Sequence, residues 1–359
     1  MPSVSEVYEF VVGVDTHAKV HQYAIVNAKT AQVIDEAGFP TTGPGLARAV
    51  AWIGRRTGGD LDAVLVSAEG TGSYGARLSK TLLSVGYRVV DAPAPKRARG
   101  GDKNDTIDAI TAARASLARP SDRLADVRAG DLQETLKILL AARTRMTSES
   151  TRSVNAMTAL LRGVDLGIDA RSKLSVTQTR VVARWRTRAE GPVESLARAE
   201  VVRLATRILV LRDELAENEK QLKAIVTAHA PVLLDQIGVG PVNAAIILSA
   251  WSHPGRIHHE AALARIAGVA PIEVSSGNHH EHRLSRGGDR QLNRAFHSIA
   301  KTRMRYDPVT IAYAQRRTQQ GLSKARIRRC LKRYIARQTY RTLTSLPAAQ
   351  QRPETSMAA

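Results

Sequence analysis

One cysteine stands in the 359 residues, Cys330, inside the basic run KARIRRCLKRY. Neither a disulfide framework nor a cysteine-based zinc site is therefore available, and a reducing cytoplasm fits. Aromatic residues are scarce at 4%. No stretch reaches the roughly 18 apolar residues of a membrane span, and the opening MPSVSEVYEF lacks the basic and apolar segments of a secretory signal. Neither export nor membrane insertion is expected. Acids are the rarer charge: 33 Asp and Glu face 53 Lys and Arg, for a formal charge of +20.

That excess calls for a polyanionic partner, with a merely basic, ribosome-like protein as the alternative. Its distribution is uneven. Between Arg286 and Arg341 there are 16 Lys or Arg residues against Asp289 and Asp307, whereas the first sixty residues are close to balanced. The polyanion-binding surface is thus weighted toward the C-terminal part. With 43% hydrophobic residues the chain can bury real cores, and its length predicts more than one of them.

Residues 9–125 alternate strand-like and helix-like patterns, EFVVGVD, YAIVNAK, LARAVAWIGRR, DAVLVSAEG, ARLSKTLLSVG and YRVVDAP, which predicts an α/β domain. The short THAKVHQ link between the first two strands predicts a hairpin entering a mixed sheet, not the strand-helix-strand opening of a dinucleotide-binding fold. Two long helices are expected at about 132–161 and 192–229. In the second, Leu204, Ile208, Leu211, Leu215, Asn218, Leu222 and Ile225 alternate spacings of 4 and 3, a heptad seam interrupted by one polar residue. The seam predicts either a hairpin with the first helix or a coiled coil between subunits. The Arg-rich RSKLSVTQTRVVARWRTR between the helices resembles a linker or a phosphate-contacting strap. The expected organisation is α/β plus α: an α/β domain over 1–125, a helical coiled-coil region with linker over 126–230, a mainly helical domain over 231–345, and a disordered tail over 346–359.

Four acids stand out. Asp15 closes the apolar run VVGVD and Glu69 closes AVLVSAE, so each falls at the end of an α/β strand; Asp105 and Asp108, in NDTIDA, share one face at the start of a helix. Converging carboxylates repel one another unless cations neutralise them, and hard oxygen ligands suit Mg²⁺ or Mn²⁺. A DxxD alone is more often a helix N-cap with a dipole partner. The ensemble, two strand-end acids followed by a helical acid pair, is the layout of an RNase H-like metal nuclease site. The GTGSY turn after Glu69 permits close approach by a nucleic-acid backbone, and a plain tight turn explains its glycines equally well.

Further on, IGVGP before VNAAIILSA has the form of a helix-hairpin-helix turn or of a simple packing turn. The stretch VSSGNHHEHRLSRGGDRQLN places Ser275 and Ser276 in a polar loop flanked by Arg283, Arg286 and Arg290. A serine there can attack a phosphodiester, with the arginines stabilising the developing charge, or can simply shape a turn. His279, His280 and His282 offer a transition-metal site or a general base, although their spacing is too tight for a fold-closing zinc site.

Taken in order, VGVDTHAKVHQYAIV, SAEGTGSYG, KNDTIDA, IGVGPVNAAIIL and GVAPIEVSSGNHHEHRLSRGGDRQLNRAF resemble the transposases of the insertion-sequence family that includes the Piv DNA invertases, the DEDD or bridge-RNA-guided serine recombinases. The likeness covers about residues 10–340. It implies a RuvC-like first domain of RNase H fold, with Asp15, Glu69, Asp105 and Asp108 as metal ligands. It maps the nucleophilic serine, directly before a glycine, to Ser276. It further implies strand exchange through a phosphoserine link, a composite site in a homo-oligomer (dimer or tetramer), and a noncoding bridge RNA that pairs with donor and target DNA. Nucleic-acid contacts are expected from Arg283, Arg286, Arg290, Lys324, Arg326, Arg328, Arg329, Lys332 and Arg333, and the setting implied is a prokaryotic cytoplasm and its nucleoid. Two other readings remain: a RuvC-like junction endonuclease with a structural serine, and a non-catalytic architectural protein.

Overall fold

The computed structural model describes residues 2–93, 105–276, 279–285 and 287–346; the side chains of 105, 106, 275, 276, 279–282 and 284 lie outside this description. The chain divides into two compact units, Met1–Ala129 with Trp251–His258, and Gly130–Ala250 with His259–Ala359.

The first unit opens with the short α1 (Val4–Val7), followed by β1 (Phe10–Asp15), β2 (Val20–Asn27), β3 (Val33–Pro40), α2 (Gly43–Arg56), β4 (Val64–Ala68), α3 (Ala76–Val85), β5 (Arg88–Asp91) and α4 (Asp105–Leu117). The five strands lie in the order β3-β2-β1-β4-β5. β1 pairs antiparallel with β2, as does β2 with β3, whereas β1–β4 and β4–β5 are parallel. The sheet is therefore mixed and starts with a hairpin.

The residue patterns explain this order. β1 (FVVGVD) and β4 (VLVSA) are almost continuously apolar and buried, as central strands covered on both faces must be. β3 alternates half-buried and exposed residues, as suits an edge strand. Val12, Val14 and Val66 face one layer with Leu46, Trp52 and Ile53 of α2 and Leu78 and Leu82 of α3. Val11, Leu65 and Val90 face the other, with Ala113 and Leu117 of α4 and Val4 of α1. Trp251–His258 is tied to the same unit through Arg256, whose Nε donates to the Asp126 carbonyl at 2.8 Å, and through Ser252, whose Oγ donates to the Ala129 carbonyl at 3.0 Å.

The second unit holds α5 (Asp131–Gly163), α6 (Val176–Val182), α7 (Pro192–His229), α8 (to its end at Trp251, from Pro241), α9 (Glu260–Ile266), the ribbon β6 (Pro271–Ser276) and β7 (His279–Leu284), and then α10 (Arg290–Tyr306), α11 (Pro308–Gln319) and α12 (Lys324–Thr344). α5 and α7 run antiparallel. Asn218 Nδ2 donates to the Leu139 carbonyl at 3.1 Å, Arg143 reaches Glu219 at 2.9 Å, and Arg207 reaches Glu149 at 2.6 Å. Leu204, Leu211, Asn218 and Leu222 of the heptad seam are buried, so the seam is covered by a helix of the same chain.

The Arg-rich stretch between the two long helices differs from the linker expected of it. It folds into α6, capped by Ser175, and Val182 and Trp185 pack with Met157, Leu161 and Val201. Arg162 locks the approach by donating from Nε to the Ala170 carbonyl at 2.7 Å. Arg198, stacked 4.9 Å from the Trp185 ring centre, is buried and paired with Glu190.

Candidate functional site

The C-terminal edge of the sheet gathers acids because three apolar strands each end in one. Asp15 ends β1 and Glu69 directly follows β4; the Glu69 amide donates to the Val14 carbonyl at 3.0 Å, extending the ladder between the two parallel strands. Open α/β sheets bind ligands at this edge. Thr16 Oγ1 donates to the Glu69 carbonyl at 3.0 Å. Gly70 has φ +59°, and a Cβ there would stand 2.6 Å from Thr16 Oγ1, so the turn after Glu69 needs glycine for conformation and for space.

Asp15 is only 8% exposed. Its Oδ2 lies 2.8 Å from His17 Nε2, and the His17 amide donates to His21 Nδ1 at 3.2 Å. His21 is buried, and burial, helped by the nearby His17, holds its pKa below the ordinary imidazole value. Sequence reasoning passed over His17. It also passed over Asp91, the last residue of β5, which pairs in register with Ala68 and accepts a hydrogen bond from Thr71 Oγ1. The signal was present, since YRVVD closes an apolar run with an acid just as VVGVD does.

α4 delivers the fourth element. Gly13 of β1 is the contact: a Cβ there would stand 1.9 Å from the Ala109 carbonyl oxygen and 2.9 Å from Ala113 Cβ. The helix thus lies directly on β1, and Ser67 Oγ of β4 pins it by donating to the Ala112 carbonyl at 3.0 Å. Asp108, half-buried, immediately precedes Ala109, in the helical turn nearest Gly13. The side chain of Asp105, one turn earlier, lies outside the described residues, as does Asp102. Among the described residues no group of three acid, histidine or cysteine side chains is close enough to hold a metal ion. The residue types are nonetheless those a hard divalent cation takes, all carboxylates, with Asp15 nearly buried beside His17.

In the second unit the two serines are not in a loop. Ser276 pairs with His279, Ser275 with His280 and Glu273 with His282, so the serines end β6 and the histidines begin β7 of a tight ribbon. The side chains of Ser275, Ser276, His279, His280 and His282 lie outside the described residues, and so does Arg286. Arg283 and Arg290 are exposed, with Asp289 capping α10 by accepting from the Gln291 and Leu292 amides.

Along α12, Lys324, Arg326 and Arg329 are exposed and Arg328 and Arg333 half-buried. Lys332 is turned inward at 7% exposure, its Nζ donating to Asn293 Oδ1, and burial pulls its pKa down. In the IGVGP turn, Gly238 (φ +85°) abuts α10, where a Cβ would stand 3.1 Å from the Ile299 carbonyl. That contact accounts for the glycine through helix packing.

Residues 12–165 match the model of the DEDD transposases of IS110 type, described as "Transposase", and residues 230–315 match the "Transposase IS116/IS110/IS902 family". Both matched stretches are thus similar to transposases of the IS110 type. The DEDD match implies an RNase H-like fold for the first unit, in agreement with its five-stranded sheet. Among curated relatives, the "Insertion element IS110 uncharacterized 43.6 kDa protein" of Streptomyces coelicolor is 36% identical over 122 residues, 33% of this chain and 30% of the relative. The "Insertion element IS900 uncharacterized 42 kDa protein" of Mycobacterium paratuberculosis is 28% identical over 156 residues, 42% of this chain and 39% of the relative. The matched stretches thus span well under half of these relatives. Within the IS110-family match that begins at residue 12 fall Asp15, Glu69, Asp105 and Asp108; within the second fall Ser276 and the ribbon that carries it. No helix among the described residues is long and apolar enough to cross a membrane.

Proposed function

We propose that this chain is a DNA transposase or recombinase that cuts and exchanges strands for insertion-sequence transposition. Asp15, Glu69, Asp105 and Asp108 hold Mg²⁺ or Mn²⁺, and Ser276 is the nucleophile. The observation that carries the reading is the seating of α4 on Gly13 beside the Asp15 and Glu69 strand ends. That seating puts the first turns of the helix against β1, the strand that Asp15 ends, in a chain whose two matched stretches are both similar to transposases.

A divalent cation bound there neutralises charge on phosphoryl oxygens. His17 orients the Asp15 carboxylate through the 2.8 Å contact, and its own backbone is held by His21. The Ser276 oxygen forms an ester to phosphorus while the bond to the departing sugar oxygen breaks, and the hydroxyl proton ends on that oxygen. In this reading the exposed Arg283 and Arg290 stabilise the charge that develops on the phosphate. In this reading the chain works as a homo-oligomer with a composite site, at the nucleoid, with a bridge RNA choosing donor and target DNA.

The test incubates purified protein with Mg²⁺, the RNA that copurifies with it and labelled element-junction DNA, and looks for a denaturation-resistant protein–DNA adduct. An adduct that disappears in Ser276→Ala supports serine chemistry. Cleavage without adduct in either protein, under conditions that trap intermediates, points instead to a RuvC-like hydrolytic endonuclease. Neither cleavage nor adduct in either protein, with nucleic-acid binding unchanged in Asp15→Asn, would leave only an architectural, nucleic-acid-binding role.

A further inference from the structure

The second unit contains a cavity of about 540 Å³ between the base of the β6–β7 ribbon, the turn before it and α12. Among the described residues its lining carries six cations, Arg283, Arg326, Arg329, Lys332, Arg333 and Arg337, and no acid. Arg337 is paired from outside the lining, its Nε 2.8 Å from Glu260. Lys332 donates to Asn293, a neutral acceptor that leaves its charge uncompensated. Arg333 Nη1 is buried without a hydrogen-bond partner among the described residues. A buried guanidinium donor with nothing to donate to is costly and marks where an acceptor is wanted.

The rest of the lining is of another kind. Val269, Ala270, Pro271 and Leu322 are apolar. Tyr334, 53% exposed, stands at the cavity with its ring held by an edge-on contact to Tyr313, centroids 5.8 Å apart. A surface that only follows a duplex backbone needs cations but no concavity, no apolar lining and no aromatic platform. The volume also falls in the range of about 300–1,000 Å³ of sites for small organic ligands, far more than one phosphate fills. Guanidiniums, apolar walls and a fixed aromatic ring together match the two halves of a nucleotide, an anionic phosphate and a flat base that stacks.

We propose that this cavity takes one unstacked nucleotide of a single-stranded nucleic acid, its phosphate on Arg326, Arg329 and Arg333 and its base against Leu322, Pro271 and Tyr334. The inference rests on the reading of the chain as a nucleic-acid enzyme and adds a strand-gripping pocket to it. From Pro271 to Ser276 the ribbon runs six residues, about 17 Å at the usual strand rise of about 3.3 Å. The pocket therefore holds a strand several nucleotides away from a phosphate bound at the ribbon tip.

The test uses the full chain and single-stranded oligonucleotides, in DNA and RNA form, each carrying one 2-aminopurine whose fluorescence rises on unstacking. Free adenosine monophosphate and inorganic phosphate serve as competitors. The expected result is a fluorescence change confined to one position of the bound strand, the responding sugar type naming the source, and displacement by the monophosphate at least about tenfold below the concentration at which inorganic phosphate acts. Leu322→Trp, which fills the cavity without changing charge, should weaken monophosphate binding at least about tenfold and leave phosphate binding unchanged; Arg329→Ala, at an exposed position, should weaken both. Circular dichroism melts establish that each variant is folded, and Arg329→Ala carries the test alone if Leu322→Trp is not. Monophosphate competing no better than phosphate, or binding unaltered by either variant, overturns the pocket. An adduct dependent on Ser276 together with such a result would overturn the pocket alone and leave the proposed function standing.

Discussion

Gly13 shows how a single missing side chain positions a site. A methyl group there would overlap the Ala109 carbonyl, so Gly13→Ala must push α4, and Asp108 with it, away from the strand ends. Overpacking of this kind costs about 1–3 kcal/mol or more. Gly13→Ala should lower the urea midpoint of the first unit and reduce cleavage beyond what that loss of stability explains, checked by unfolding and strand-cleavage assays on the same preparation. His21 is the neighbouring case. Burial disfavours its charged form, so its folded pKa lies below the ordinary value of about 6.5. Between those two values the unfolded chain binds a proton that the folded chain does not, and stability therefore falls as pH drops through about 6.5. His297 in α10 has the same sign, through burial and the nearby Lys332, Arg328 and Lys301. Urea midpoints at pH 5.5 and 7.5 should show the loss on the acid side, and His21→Gln should shrink it in the first unit.

Among the elements, the α5–α7 hairpin shows what periodicity establishes and what it leaves open. A seam of spacing 4 and 3 says that one face of α7 is covered, and says nothing of which helix covers it. The answer lies in pairs such as Asn218 with Leu139 and Arg207 with Glu149, 79 and 58 residues apart. Leu211, fully buried in that seam, should cost about 2–5 kcal/mol when replaced by alanine, read from the urea midpoint of the second unit. α6 was hidden in the sequence by its arginines, which suggest a solvated strap. In the fold Arg162 caps carbonyls and Arg198 stacks on Trp185, so two of the basic residues around it are structural. The serine ribbon was hidden likewise. VSSGNHHEHRL is too polar to read as strand, and its pairing is stabilised by backbone hydrogen bonds that carry no side-chain signature.

On the scale of the molecule, the net charge of +20 predicts binding to nucleic acid that weakens steeply with salt. The exposed Lys324, Arg326 and Arg329 of α12 are the cations best placed to meet phosphates. Replacing all three by alanine should make the plot of log K against log salt shallower by about 0.7–0.9 for each phosphate that the protein no longer neutralises, measured by fluorescence titration with a labelled oligonucleotide. Lys332→Ala should act otherwise, loosening the packing of α12 on α10 because the bond to Asn293 is removed.

The sequence by itself determined the alternation of elements, the mixed sheet begun by a hairpin, the two long helices and the basic C-terminal part, because hydrophobic period, link length and charge are local properties of the chain. It also marked Asp15 and Glu69, since each ends an apolar run. Tertiary structure alone decided that Asp91 joins their edge of the sheet, that His17 sits on Asp15, that Lys332 turns inward, and that α4 comes down on β1 at a glycine. Apart from the His17 contact, made within two residues of Asp15, those outcomes depend on contacts between residues far apart in the chain, such as Gly13 with Ala109, where close packing leaves room for one arrangement.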